Sequence, residues 1–293
     1  MTNSVQSDIQ LKKVVCSTVQ LGKENYPVGM LSLDGLVQEV GMHPYAIAYP
    51  EQLPGSTQQQ LLAQTENSPA EFWVEAIAQK IIRTAEQYGE EPLLVCLSGA
   101  DSHQRKGLLG AEMEELEINP LIGLRGVSRF AEQSRRKAFE LECEAVKRAQ
   151  SKLGSTGIEL VLPFVRTFSE AATVCDLLAE QGLARGVGGL KIHLCAQLPA
   201  NALLAETFLQ YFDGVVVDID QLAQFALGLD ESHPKLDYLY DDRNEAILLL
   251  VRQLLLATHA VNKPCSIVSR HITTSAHLQS WLKDHGVSSV MTP

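Results

Sequence analysis

Short β-rich runs alternate with longer helical patterns along nearly the whole chain. The runs fall at residues 14–18, 28–33, 93–98, 120–126, 159–164, 190–197, 215–220 and 265–269. A parallel strand reaches its neighbour only through a long crossover, and a helix is the usual one. Eight such strands close on themselves, so the expected class is α/β, a (β/α)8 TIM barrel. The length of 293 residues suits one barrel, and 45% hydrophobic residues can fill its core. The polar residues 1–13 read as an extension, and residues 14–293 as a single domain.

The stretches between the runs carry their own signals. Phe139, Cys143 and Val146 repeat at i, i+4, i+7, which gives one buried stripe on a helix. Thr167 and Glu170 have capping-box spacing, and Ala171, Val174, Cys175 and Leu178 continue as a stripe toward Gly182, a left-handed stop. Phe72, Trp73, Ile77 and Ile81 mark an earlier helix. Residues 247–256 are apolar on almost every side, which suits a helix sandwiched in the protein or covered by a second subunit. The Gln- and Ser-rich stretch 51–68, with Pro54-Gly55, reads as a surface excursion.

Charge narrows the partners. A net charge of −11 does not suit a nucleic-acid surface, which needs clustered Lys and Arg. The one basic run, Arg135-Arg136-Lys137, sits among Glu132, Glu140 and Glu142 as a solvated helix face would. No leader-like apolar segment and no membrane-spanning run is visible. Cysteines 16, 96, 143, 175, 195 and 265 are spread without a Cys-x-x-Cys pair, so they read as reduced thiols of a cytoplasmic protein.

One segment is far more specific. Ile118-Asn119-Pro120-Leu121-Ile122-Gly123-Leu124-Arg125-Gly126 resembles the signature of the phosphoenolpyruvate (PEP) synthase barrel. Phe139 to Ala145, Val161 to Thr167, Asn201 to Ala205, Phe212-Asp213-Gly214, Leu227 to Asp230 and Asp242-Arg243-Asn244 follow in the family order. The resemblance runs from about Val14 to the C-terminus. It implies the PEP/pyruvate-binding type of (β/α)8 barrel, the C-terminal part of PEP-utilising enzymes. No segment resembling their ATP-binding or phosphohistidine domain is found.

The resemblance also implies where chemistry would sit. Family barrels grip a phosphate with arginines, polarise an oxo-acid with a divalent metal and donate a proton at carbon. The two phosphate-gripping arginines align with Ser32 and Cys96. The metal-binding Glu aligns with Gln197, and the metal-binding Asp with Gln221. An Arg after Leu227-Gly228-Leu229-Asp230 aligns with Glu231, and the proton-donating Cys with Val268. Arg125 is retained, as are Arg129 and Arg166. Arg125 is expected at the barrel mouth, at the end of the run 120–126. It would bind an oxo-acid or phosphate, or else pair with a carboxylate such as Asp218 or Asp220.

Other groups offer weaker candidates. Asp218 and Asp220, two apart on an expected strand, would face one side and with Asp230 could hold a relocated magnesium ion. Asp220 could instead cap the helix that begins at Gln221. Cys16, Cys96, Cys195 and Cys265 fall on four expected strands and read as core thiols rather than as a metal cluster. His271 beside Arg270, and His103 beside Asp101 and Arg105, could supply an acid or base, although exposed loop histidines look the same. No cofactor is expected.

Three functions fit these residues. The first is a pseudoenzyme, a binding or regulatory barrel that dimerises or pairs with a related enzyme through the helix around 247–256. The second is a repurposed enzyme acting on a small oxo-acid or phosphorylated carboxylate, with Arg125, Asp218, Asp220, His103, Arg270 and His271 as its pool. The third is a sensor that binds PEP or pyruvate without turnover.

Overall fold

The computed structural model describes residues 9–21, 26–88, 91–154, 156–241 and 243–293. Eight parallel strands form a closed barrel in chain order. They are β1 (Gln10–Val15), β2 (Val28–Ser32), β3 (Leu93–Cys96) and β4 (Ile158–Leu162), then β5 (Ile192–Ala196), β6 (Gly214–Asp218), β7 (Cys265–Val268) and β8 (Ser289–Thr292). Closure comes from β1 pairing with β8, with Gln10 opposite Ser289 and Lys13 opposite Thr292. Strand residues alternate between two cores, because successive side chains point to opposite faces. Val14, Met30, Val161, Cys195, Val216, Val268 and Met291 fill the barrel interior. Their neighbours Val15, Leu31, Leu160, Leu162 and Val217 face the helices in the main core.

The strand count agrees with the sequence reading, but one member differs. Residues 120–126 are not a strand. Pro120–Ile122 is a single 3-10 turn, and the segment lies on the connection from β3 to β4. Proline at the first helical position, Asn119 before it and Gly126 at φ +59° favour a turn over an extended ladder. The eighth strand is Ser289–Thr292, which follows the Gly286 turn and with only four residues is too short to stand out as a periodic run. The runs expected as strands five to eight are therefore β4 to β7. Arg125 sits on a connection, not at a strand end.

Two further boundaries move. β1 begins at Gln10, so residues 10–13 belong to the barrel; residues 1–8 of the expected extension lie outside the described residues. So does Asp242 of the Asp242-Arg243-Asn244 match. The excursion at 51–68 carries a helix, Gly55–Gln64, anchored by Leu61. Cys16 lies one residue past β1 and is exposed, rather than being a core thiol.

Strand ends also start helices, and this fixes the mouth of the barrel. Ser32 ends β2 and its hydroxyl accepts the Gly35 N–H, capping Leu33–Val40. Asp218 ends β6 and caps Ile219–Leu227 by accepting the Gln221 N–H at 3.1 Å. Gly35 has no room for a side chain, because a Cβ would fall 2.2 Å from the Cys16 carbonyl oxygen. The first capped helix thus lies directly against the chain leaving β1.

The remaining helix expectations hold in outline. Thr167 caps Phe168–Glu180 through the Glu170 N–H, but the Glu170 carboxylate accepts the Arg166 N–H rather than completing the box. Helix Glu245–Ala260 buries Ile247, Val251, Leu254 and Ala257 on one stripe. Leu249 and Leu256, seven apart, are 61% and 59% exposed on another side. Among the described residues no helix is long and apolar enough to cross a membrane.

Candidate functional site

A cavity of about 410 Å³ opens at the C-terminal ends of the strands. Sites of (β/α)8 barrels are built at this end, from strand termini and the loops that follow. Met30, Cys96, Cys195 and Val268 form an apolar floor, and Asp34, Arg125, Gln197, Asp218 and Gln221 stand in the wall. A second cavity of about 420 Å³ adjoins it and shares Gln104, Arg125 and Gln221. The β3–β4 connection roofs both. It is pinned by Asp34, whose Oδ2 accepts the N–H groups of Gly99 and Ala100 at 2.6 and 2.9 Å.

Arg125 reaches the mouth, but its guanidinium is already engaged. Nε donates to the Gly99 carbonyl at 3.0 Å and Nη1 to the Leu121 carbonyl at 3.3 Å. Its carboxylate neighbour is Asp101, 3.9 Å away, rather than Asp218 or Asp220. The Arg125 guanidinium also lies 4.3 Å from the centre of the Phe164 ring, and that of Arg166 lies 4.5 Å from it. Phe164 has φ +57°, a backbone state bulky residues rarely adopt. Arg166 donates onward to Ser128 and to the Gly123 carbonyl, so it braces the connection instead of facing the cavity.

Arg129 is elsewhere. It is buried within the β3–β4 connection, donating to Glu114, the Tyr45 hydroxyl and the Leu124 carbonyl. Burial opposes ionisation of Glu114, yet the His43 hydrogen bond and the Arg129 charge hold its carboxyl down at about 2. This is a structural ion pair, separate from the mouth.

The two glutamines tie the mouth together. Gln197 accepts the Phe164 N–H at 2.9 Å and donates through Nε2 to Asp218 Oδ2 at 3.3 Å. Gln221 donates to Glu231 Oε1 at 3.0 Å and accepts from Gln224 at 3.4 Å. Asp218 receives only neutral donors, and burial, then the Asp220 charge, pushes its carboxyl up to about 7. Asp220 turns the other way, accepting from the Arg270 N–H at 2.8 Å and the Tyr240 hydroxyl at 3.1 Å. Helix capping at this strand end is thus performed by Asp218, and the two aspartates do not converge.

Glu231 and Arg270 form a salt bridge at 3.1 Å. Arg270 Nε meets His271 Nε2 at 3.0 Å, and the His271 ring stacks on Tyr240. His103 is exposed beside Lys106 and lines the adjoining cavity with Asp230. Val268 closes the floor with a hydrocarbon surface. Asp34, Gln38 and Gln104 also line the mouth, and no motif spacing marks them in the sequence.

A family model described as PEP-utilising enzyme, PEP-binding domain, matches residues 51–291. The chain belongs to the PEP-utilising enzyme family. It is 35% identical over 270 residues to phosphoenolpyruvate synthase of Pseudomonas aeruginosa (strain UCBPP-PA14), covering 91% of this chain and 34% of that protein. The same figures, 35%, 91% and 34%, hold for phosphoenolpyruvate synthase of Escherichia coli (strain K12). Phosphoenolpyruvate synthase of Deinococcus radiodurans is 34% identical over 271 residues, with 91% of this chain and 35% of that protein covered. This PEP-utilising barrel therefore spans about a third of the length of these relatives.

A divalent ion of the kind expected in such a barrel needs several hard oxygen donors. The residues present do not fit one. The side-chain oxygens of Gln197 and Gln221 accept hydrogen bonds from neighbours, and Asp220 points away from Asp218. Among the described residues no group of three or more His, Cys, Asp or Glu is placed to hold a metal.

Proposed function

We propose that this barrel is a ligand-binding or regulatory relative of PEP synthase whose mouth no longer performs PEP chemistry. The carrying observation is the commitment of the mouth's polar groups to one another. Gln197 bridges Phe164 and Asp218, and Gln221 bridges Gln224 and Glu231. Arg125 is held by two backbone carbonyls. PEP brings a phosphate and a carboxylate, and gripping them takes several free cationic donors. Five carboxylates line the two cavities, Asp34, Asp101, Asp218, Asp230 and Glu231, against Arg125 in the lining and Arg105 and Arg270 behind it. An added anion would meet net repulsion there.

The test is thermal unfolding with PEP, pyruvate or oxaloacetate, each with and without magnesium. A binder stabilises the fold by mass action, about 2.7 kcal/mol at a hundred times its dissociation constant. The expected result is no shift with any of the three at 5 mM. A magnesium-dependent shift with PEP or pyruvate would overturn the proposal.

A module of this kind works through a partner, and Leu249 and Leu256 supply a candidate contact beside the buried stripe of their helix. Light scattering at micromolar concentration is expected to give a dimer, and Leu249→Glu with Leu256→Glu a monomer. A monomeric wild type would remove the self-association part of the proposal.

A further inference from the structure

We propose that the 410 Å³ mouth cavity takes a small organic cation, a primary ammonium on a short apolar stem, with Asp218 as its anchor. This rests on the reading above that the site has left PEP chemistry, and it names the ligand class that replaces the anion.

Three independent features of the cavity point this way. Asp218 stands in the wall with no cation at ion-pair distance among the described residues, and its oxygens accept only from the Gln221 N–H and the Gln197 amide. A half-buried carboxylate with only neutral donors is costly to ionise unless a positive group joins it. The arginines nearby are already matched: Arg105 stands 3.7 Å from Asp34, Arg125 stands 3.9 Å from Asp101, and Arg270 lies 3.1 Å from Glu231. Asp220 and Asp230 also lack an ion-pair partner among the described residues, but Asp220 turns to Tyr240 and Asp230 lines the adjoining cavity, so Asp218 is the one that faces this cavity without a cation. Finally, the floor beneath it is apolar, made of Met30, Cys96, Cys195 and Val268, and suits an aliphatic stem rather than a hydrated ion. An inorganic divalent ion would find too few free oxygens, whereas an ammonium needs one carboxylate and neutral acceptors.

The interaction carries a pH signature. Burial and the neighbouring Asp220 hold the Asp218 carboxyl up at about 7. The groups facing it are Cys195 from β5, Asp220 from its own helix, Glu231 from the loop beyond and Arg125 from the β3–β4 connection. An alkylammonium stays charged well above neutrality, so its affinity should rise as Asp218 ionises between pH 6 and pH 8.

The experiment is calorimetric titration of the full chain with n-butylammonium chloride, using n-butanol, pyruvate and PEP as matched controls. The expected result is a dissociation constant of order 1 mM for butylammonium at pH 8, several-fold weaker binding at pH 6, and no binding of butanol. Asp218→Asn should weaken butylammonium by about tenfold or more, the worth of a charge-assisted hydrogen bond. Asparagine is an equally good helix cap, so this variant should keep its fold. The inference fails if butylammonium binds no better than butanol, if Asp218→Asn leaves its affinity unchanged, or if affinity falls as pH rises. Silence of all four compounds would remove this inference and leave the proposed function standing. Binding of PEP or pyruvate in place of butylammonium would remove both.

Discussion

Arg129→Ala is expected to lower the unfolding free energy by about 3–5 kcal/mol, the range for breaking a buried ion pair by removing one partner. Arg129 is 4% exposed and its guanidinium satisfies three acceptors: Glu114, Tyr45 and the Leu124 carbonyl. Its loss strands the Glu114 carboxylate beside His43. The Tyr45 N–H donates to His43 Nδ1 at 3.1 Å, so the imidazole proton sits on Nε2 and is given to Glu114 at 2.9 Å. Burial pushes the His43 imidazole below its usual range, so it cannot take over as the missing cation near neutrality. The cluster joins helix Pro44–Ala48 to two parts of the β3–β4 connection, the segment around Glu114 and helix Val127–Ala131. Arg129→Lys should recover only part of the loss, because one ammonium cannot reproduce the planar fork. Urea unfolding measures both; a loss under about 1 kcal/mol for Arg129→Ala would place this pair among exposed bridges of little consequence.

The second large effect is on the pH dependence of stability. Burial holds Glu142 up at about 7 from an ordinary 4.5, and burial with the Asp220 charge holds Asp218 up at about 7 from 3.8. Both groups therefore keep a proton in the folded chain where the unfolded chain has released it. Their contribution is full below the unfolded values and is lost as pH climbs toward 7. For Glu142 the loss amounts to about 3 kcal/mol between pH 4.5 and pH 8. Asp218, which is half-buried, adds a loss of the same sign. Glu114, held at about 2, works in the opposite sense and withdraws stability only as pH falls below about 4. His43, pushed down by burial, gains stability as pH rises through its ordinary range. Two carboxyls outweigh one imidazole, so the balance of these four groups is most favourable near pH 4 and declines toward pH 7. Glu142→Gln isolates one of these contributions, at the fully buried site: it should be more stable than wild type at pH 8 and close to it at pH 5. Equal gains at both pH values would show that Glu142 does not titrate in this range.

The barrel itself was legible because its strands and helices obey different periods. Seven of the eight strands are visible in the sequence as β-rich segments of five to eight residues. β8 escaped because four residues, Ser289–Thr292, carry too little pattern to stand apart from the loop after Gly286. Residues 120–126 misled for the converse reason: Leu121, Ile122 and Leu124 look strand-like, while Pro120 and Gly126 decide the turn. Arg125 was placed at the mouth on its neighbours' resemblance, and it is there, but its acceptors are carbonyls of Gly99 and Leu121 that no sequence spacing announces. The roles of Asp218 and Asp220 could not be separated either. Both are a residue or two from a helix start, and only the turn of the backbone decides which one caps. Nor could the left-handed Phe164, clasped by two arginines, be read from its residue type.

The bridge from Gln197 to Asp218 has a bearing on how freely this site can change. Its amide nitrogen gives a hydrogen bond to a carboxylate oxygen 3.3 Å away. Gln197→Glu, the single step toward the carboxylate that the resemblance implies at this position, would set two acceptors face to face in a poorly hydrated wall. At neutral pH, with no cation between them, one of them would have to hold a proton. A cation between the two, or loss of the charge at position 218, would be needed to relieve the pair. The order of substitutions therefore matters, and the amide acts as a latch: each neighbour is tolerable because the other is already in place.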